Sequence, residues 1–168
     1  MITLQHLTRL EFHGGSLQAL RLEKTYSIAH PRSVVWQSIL DPDLLAEILP
    51  GCKSLTPLAE DRYLADIEIK IGPISGSYSS ELEITDKIPP VSYNFSVSGN
   101  GVKGHMSGKG KIELQGDNGS TLLAFSAEGN VGGILARIGQ RLVLAAGKKL
   151  MDQGFRNFSE RLGDVQYA

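Results

Sequence analysis

Few side chains in this sequence have the type and spacing that catalysis or metal binding would need. The histidines show no ligand spacing such as HExxH, and they stand far apart at His6, His13, His30 and His105. Cys52 follows a Pro-Gly turn with no histidine nearby in sequence, so we interpret it as a small, partly buried thiol. Asp41 and Asp43 could form an acid/base pair, but their position at a predicted helix start is typical of an N-cap and a first-turn charge. We therefore predict no catalytic residue, no metal site and no cofactor.

The glycine-rich segment from Gly99 to Gly110 is similar in composition to a phosphate-binding loop. It contains no GxxxxGKS or GxxxxGKT motif, and its glycines alternate within a predicted strand instead of preceding a helix. Lys and Arg number 17 against 18 Asp and Glu, which gives a formal net charge of -1, whereas a nucleic-acid-binding domain is usually clearly basic. We expect neither a nucleotide nor a nucleic-acid partner.

Length and composition indicate one domain with an ordinary hydrophobic core. The chain has 168 residues, of which 41% are hydrophobic, and a chain of this length can bury its core without disulfides or a structural metal. A single cysteine excludes an internal disulfide and fits a reducing compartment. No apolar run approaches the ~18 residues of a membrane span, and the N-terminus lacks a continuous apolar signal region. We therefore expect a soluble, cytoplasmic protein.

The pattern of apolar residues predicts the elements that must position any site. Residues 22–29 read as a strand, and two short helices then open at His30-Pro31 and Asp41-Pro42. Apolar and polar residues alternate over about 52–131, which predicts an antiparallel sheet, with Gly99-Asn100-Gly101 as one of its tight turns. Residues 133–162 read as a long amphipathic helix. The predicted fold class is α+β: a curved antiparallel sheet of about seven strands around that helix, with two short helices after the first strand.

The long helix presents two apolar faces that do not coincide. The first half carries Leu135, Ile138, Leu142, Ala145 and Ala146 on one side. At 100° per residue, a second set falls on another side of the cylinder, and it comprises Met151, Phe155, Phe158 and Leu162. Either the helix bends near Gly147 or its last turns pack against something other than the sheet.

The side chains predicted to face the helix are apolar, which indicates a cavity for an apolar ligand. The predicted lining residues are Ile67, Ile69, Tyr78, Tyr93, Phe95, Val97, Met106, Phe125, Ile138 and Leu142. Several glycines fall on the same face, among them Gly104, Gly108, Gly110 and Gly129. An inward glycine leaves room for a ligand, or it permits close backbone approach in a kinked sheet with a filled core. Both interpretations remain open at this point.

A basic stripe lies on the predicted long helix. Arg137, Arg141 and Lys148 fall within ~40° of one another around the helix axis. This pattern is typical of a surface for anionic lipid or an acidic partner, and also of an ordinary solvated helix face.

Five segments of the sequence form a recognisable set. They are Ala29-His30-Pro31 with Val35-Trp36, Leu40-Asp41-Pro42-Asp43 with Leu49-Pro50-Gly51-Cys52, Ile71-Gly72-Pro73-Ile74, the glycines from Gly104 to Gly110 with Thr121, and Val131-Gly132-Gly133 leading into Ile138-Gly139-Gln140-Arg141-Leu142. Over residues 22–162 the chain resembles the carbon monoxide dehydrogenase G-subunit family, which belongs to the START-like helix-grip superfamily. Residues 1–21 form an N-terminal extension without a recognisable counterpart, and 163–168 form a tail.

The resemblance implies a non-catalytic accessory protein. Members of the family are associated with molybdenum-dependent carbon monoxide dehydrogenases and related hydroxylases. They are thought to couple the enzyme to the membrane, and some are thought to carry a lipid- or quinone-like ligand. This implies a hydrophobic small-molecule partner, a molybdenum hydroxylase partner and peripheral contact at the inner face of the cell membrane. Two alternatives stand beside it: an adaptor with a filled core that docks through its basic helix, and a START-like cyclase or lyase.

Overall fold

The computed structural model describes residues 19–117 and 119–164. In chain order these residues form β1 (Leu20–Ile28), α1 (Arg32–Ile39), α2 (Pro42–Ile48), β2 (Cys52–Ala59), β3 (Arg62–Ile69), a 3-10 turn (Gly72–Ile74), β4 (Gly76–Ile88), β5 (Ser92–Gly101), β6 (Gly104–Asp117), β7 (Ser120–Gly132), α3 (Ile134–Ile138) and α4 (Gln140–Asp164). Most of the predicted N-terminal extension (1–21) and of the predicted tail (163–168) lies outside the described residues.

The strands form one antiparallel sheet in the order β1-β7-β6-β5-β4-β3-β2. Helices α1 and α2 carry the chain from one edge of this sheet, β1, to the opposite edge, β2. The sheet curves around α4, so the predicted α+β helix-grip architecture is confirmed. Six of the seven strands follow each other as hairpins, which is what the short turn signals between the alternating segments require.

The two short helices begin where the sequence indicated. Asp41 caps α2, its carboxylate accepting a hydrogen bond from the Asp43 backbone N–H at 3.0 Å, and Pro42 occupies the first turn. The apolar residues of α1 and α2 are buried in the core, with Val35 and Ile39 the most deeply covered of α1.

The β5–β6 turn differs from the sequence prediction. The predicted turn at 99–101 is part of β5, and the strands pair up to Gly101 opposite Gly104. Val102 and Lys103 therefore form a two-residue turn, and Gly104 takes a positive φ of 131° beside it. The Val102 side chain is 97% exposed as a result.

The predicted long helix is two helices in the structure. Gly139, at φ 101°, ends α3, and α4 begins at the next residue. The helix does not break near Gly147, which lies inside α4. The last turns of α4 pack against α2 as well as the sheet: the Asn157 side-chain amide donates to the Ile48 carbonyl at 3.1 Å, and Arg161 pairs with Glu47. The two apolar faces thus have different partners.

The core divides into two clusters. The larger one contains α1, α2 and the last turns of α4, with Phe158 and Leu162 almost completely buried among the sheet residues of that end. The smaller one lies under α3 and the first half of α4 and includes Ile74, Tyr78, Leu135 and Ala146. Between the smaller cluster and the sheet the packing is incomplete, and a cavity remains.

Candidate functional site

The cavity between the sheet and the first half of α4 has a volume of about 230 Å³. Its walls come from β1, β3 to β7, the 3-10 turn, α3 and α4. The lining residues at inward positions are Leu20, Leu22, Ile69, Ile74, Tyr78, Phe95, Val97, Met106, Gly108, Ala127, Gly129, Val131, Leu135, Val143, Leu144, Gly147 and Leu150. They are apolar except for one phenol.

The floor of the cavity is a pair of glycines on neighbouring strands. Gly108 of β6 and Gly129 of β7 stand directly opposite each other, flanked in the same row by Val97 and Leu20. A Cβ at Gly108 would meet only backbone atoms, the nearest being the Glu128 carbonyl oxygen at 3.2 Å. Gly108 therefore leaves room in the cavity because it has no side chain. Gly129 also permits close approach of the neighbouring backbone, because a Cβ there would lie 2.6 Å from the Ser107 carbonyl oxygen.

Gly147 provides the same kind of space in the roof. It is a helical residue of α4 that lines the cavity, and a Cβ there would lie 3.3 Å from Cδ1 of Leu22 on β1. Glycine in the interior of a helix costs about 1 kcal/mol relative to alanine. At this position glycine therefore makes the helix less stable than alanine would, and it also leaves the cavity wider.

Gly110 has a different role from Gly108. The Phe95 ring lies across it, and a Cβ at Gly110 would collide with that ring. Gly110 thus permits a close approach by an aromatic side chain, the second of the two roles that the sequence left open.

The one polar side chain at an inward lining position is already hydrogen-bonded. The Tyr78 hydroxyl donates to the Ile74 carbonyl at 2.7 Å, and burial raises the pKa of Tyr78, so the phenol is neutral. Lys109 and Glu128 also border the cavity, but strand alternation directs their side chains to the outer face, where Glu128 lies 4.0 Å from Lys109 and 3.7 Å from Arg21. Such a lining favours apolar groups over charged ones.

A polar cluster closes the seam between β1 and α4 beside the cavity. Asp152 accepts hydrogen bonds from the Lys24 ammonium at 2.6 Å and from the Tyr26 hydroxyl at 2.8 Å. The hydrogen bond from Lys24, followed by that from Tyr26, lowers the pKa of Asp152. Partial burial, then the carboxylate of Asp152, raises the pKa of Tyr26. Sequence reasoning missed this cluster because Asp152 lies more than 120 residues from its two partners.

Half of the residues predicted to line the cavity do so. Ile69, Tyr78, Phe95, Val97 and Met106 meet around it, and Met106 is also 38% exposed at its rim.

The other five predicted lining residues lie outside the cavity wall. Tyr93 belongs to the filled core, where its burial raises the pKa of the phenol, and Phe125 packs on the far side of Phe95. Ile67 is half-buried on β3 without bordering the cavity, and Ile138 packs against the smaller cluster. Leu142 is 53% exposed, because the break at Gly139 changes the rotation of α4 relative to α3.

Sequence reasoning missed the contributions of β1 and of α4. Leu20 and Leu22 lie on the same face of β1 as Tyr26 and Ile28. The alternation of side chains along a strand could therefore have predicted that both residues face the cavity, if the predicted strand had begun at Leu20. Val143, Leu144 and Leu150 depend on the rotation of α4 about its axis, and no local signal fixes that rotation.

The predicted basic residues are all exposed. Arg137 lies on α3, whereas Arg141 and Lys148 lie on α4, so they do not share one continuous helix. None of the three forms an ion pair with another residue in the part of the chain that the structure covers.

Exposed apolar side chains lie at the same end of the molecule as these basic residues: Val102 (97% exposed), Ile134 (51%) and Leu142 (53%). The Leu135 backbone N–H donates to the Lys103 carbonyl at 2.9 Å, which ties α3 to the β5–β6 turn.

Two further properties concern metals and membranes. Over 19–117 and 119–164, no three His, Cys, Asp or Glu side chains are arranged to hold a metal ion. None of the helices within these residues is long and apolar enough to cross a membrane.

The curved sheet, the long helix and the cavity between them define a START-like domain. A model of the carbon monoxide dehydrogenase G-subunit (CoxG) family matches residues 25–163. The chain belongs to this family. A search of curated proteins found no match.

Solved structures share this fold. A conserved protein from Geobacillus kaustophilus is 31% identical, with a TM-score of 0.84 over 88% of this chain and 98% of that one. A START superfamily protein from Mycobacterium smegmatis is 14% identical, with a TM-score of 0.68 over 87% and 99%. The Zhui aromatase/cyclase from Streptomyces sp. R1128 is 12% identical, with a TM-score of 0.65 over 86% and 94%. The last two likenesses concern the fold alone.

Proposed function

We propose that this protein is a non-catalytic accessory protein that holds an apolar, lipid- or quinone-like ligand between its sheet and α4. In this role it assists a carbon monoxide dehydrogenase-type molybdenum hydroxylase or its coupling to the membrane. The observation that carries the proposal is the cavity itself, whose inward lining is apolar and whose single phenol is already hydrogen-bonded. Family membership supports the accessory role and the partner enzyme.

The volume of the cavity limits the size of the ligand that it can enclose. A dry apolar cavity of ~150 Å³ can hold benzene, whereas sites for drug-sized ligands start at ~300 Å³. A cavity of about 230 Å³ therefore suits one ring with short substituents, or a short length of hydrocarbon chain. A longer amphiphile would insert its apolar part and leave the remainder outside.

The exposed end at α3 supports docking on an anionic membrane surface. Val102, Ile134 and Leu142 supply apolar side chains that can enter the lipid headgroup region, and Arg137 and Arg141 supply positive charge beside them. Each basic residue near such a surface contributes about 1 kcal/mol. Met106 lines the cavity and is itself partly exposed, so membrane and ligand site lie close together.

An enzymatic role is the main alternative, since the fold also occurs in an aromatase/cyclase. Such chemistry needs an acid or base within hydrogen-bond reach of the substrate. Tyr78 is the inward lining residue with a dissociable proton, and its raised pKa and its bond to Ile74 make it a weak candidate. This is why we favour binding without catalysis.

Native mass spectrometry of protein purified from its own host, followed by organic extraction, tests the proposal. We expect a lipid- or quinone-like molecule bound to the wild type and lost from Gly108→Leu, whose new side chain would occupy the space above the floor. Ser98→Leu is the matched control, because it introduces the same side chain at an exposed outer-face position of the neighbouring strand β5 that does not line the cavity.

Two results would contradict ligand binding. The first is ligand-free wild type in repeated preparations combined with no thermal shift across a panel of lipids and quinones. The second is an equal ligand content in Gly108→Leu and Ser98→Leu.

A further inference from the structure

Four aromatic rings lie in contact at one end of the cavity, which Phe95 borders, and we call them the ring partition: Phe95, Phe125, Phe155 and Tyr26. Phe95 stacks on Phe125 with ring centroids 5.6 Å apart, and Phe125 meets Phe155 edge to face at 5.7 Å. Phe155 in turn stacks on Tyr26 at 4.2 Å. The rings come from β5, β7, α4 and β1, so together they cross the space between sheet and helix.

The lining of the cavity stops at this level on β5 and β7. Ala127 is the last lining residue of β7 in this direction, and the next inward residue is Phe125 of the partition. Phe95 is the last lining residue of β5, and the next one, Tyr93, belongs to the filled core. The partition therefore separates an open region from a packed one.

Two features hold the partition in place. Gly110 has no side chain, so the Phe95 ring can lie across β6 towards Phe125. At the other end, the Tyr26 hydroxyl donates to Asp152, which also binds Lys24, and this joins β1 to α4 where the last two rings stack. The rings also pack against the larger core cluster on their far side, so they have little free space to move into.

We propose that the ring partition sets the depth of the cavity and so selects ligands by the length of their apolar part. This inference deepens the proposed function and rests on it. A hydrocarbon chain that reaches Phe95 cannot go further without displacing closely packed rings. Carbons added beyond that length stay outside and gain no burial.

A homologous series of 4-n-alkylphenols tests the proposal by isothermal titration calorimetry. For wild type we expect affinity to rise about fourfold with each added methylene while the chain is being buried, and then to level off. In Phe95→Ala and in Phe125→Ala the rise should continue to longer chains, with a gain of about sixteenfold for two further methylenes. Phe95→Leu serves if either alanine variant fails to fold.

Phe158→Ala is the matched control. Phe158 is a phenylalanine of α4 like Phe155 and is completely buried, but it neither borders the cavity nor belongs to the ring partition. Its replacement should lower the melting temperature without moving the chain length at which affinity levels off.

The outcomes separate the two proposals. If wild type binds the series but levels off at the same chain length in folded Phe95 and Phe125 variants, the partition does not set the depth. If Phe158→Ala moves the limit as much as they do, general loosening of the core is the cause and the inference fails. If wild type binds no member of the series, the proposed function fails together with this inference.

Discussion

Replacing Gly147 by alanine should change the stability of helix α4 and the affinity of the cavity for a ligand in opposite directions. The helix gains about 1 kcal/mol when an interior glycine becomes alanine, which corresponds to about 2–4 °C in melting temperature for a chain of this size. The new Cβ would lie 3.3 Å from Cδ1 of Leu22, the flexible end of a side chain, so a small shift relieves the contact. We therefore expect the ligand-free variant to be as stable as wild type or more stable.

The same substitution should weaken ligand binding. The added methyl group projects into the roof of the cavity, and a ligand that loses the space of one methylene loses about 0.8 kcal/mol, or about fourfold in affinity. Thermal denaturation by circular dichroism measures the first effect, and titration with the ligand identified by mass spectrometry measures the second. A gain in stability with a loss of affinity would show that Gly147 serves the cavity.

Gly154 provides the matched control within α4. A Cβ there would make an ordinary contact with Cδ of Pro50 at 3.5 Å, away from the cavity lining. Gly154→Ala should therefore raise the melting temperature by the same about 2–4 °C with unchanged affinity. The reasoning is refuted if Gly147→Ala binds the ligand as wild type does, or if both variants lose affinity equally.

Three further outcomes are expected. Phe158→Ala should reduce the free energy of unfolding by about 3–5 kcal/mol in chemical denaturation, since it empties a fully buried position, and a loss below about 1 kcal/mol would contradict that burial. Asp152→Asn should cost up to about 1 kcal/mol at neutral pH, because its side chain is 39% exposed. The lowered pKa of Asp152 means that this contribution is present above its ordinary value of 3.8 and is lost as the pH falls through the lower folded value, so the stabilities of wild type and variant should converge only below pH 3.8. Arg137→Glu with Arg141→Glu should weaken sedimentation with anionic vesicles, whereas equal binding would remove these residues from the membrane surface.

The architecture could be predicted from the sequence because its signals are local. Alternation in β3 places Tyr63 and Ala65 on the buried side, and the structure agrees. Asp41-Pro42 opens a helix through a cap and a fixed φ, both of which act over a few residues. The β5–β6 turn was misplaced because Gly99, Gly101 and Gly104 are all compatible with a turn, and the register of the partner strand decides among them.

For the candidate site, the sequence could predict only which side chains share one face of the sheet. Alternation shows that Phe95 and Phe125 point to the same side of the sheet, but only the packed structure shows that Phe95 borders the cavity and Phe125 lies behind it. The glycines show the same limit, because Gly108 lines the cavity and Gly110 lies under an aromatic ring although both are inward on β6.

Local patterns along the chain specify which segments become strands and helices, which side of each strand is apolar, and the family to which the protein belongs. The depth of the cavity, the face of α4 that covers it and the position of the helix break depend on the packed fold. So does the meeting of Lys24 with Asp152 across 128 positions of sequence. The physical reason is the distance along the chain over which each interaction acts: backbone geometry imposes strand alternation and helical period within a few residues. By contrast, the orientation of an aromatic ring and the rotation of a helix about its axis depend on packing against side chains that are distant in sequence.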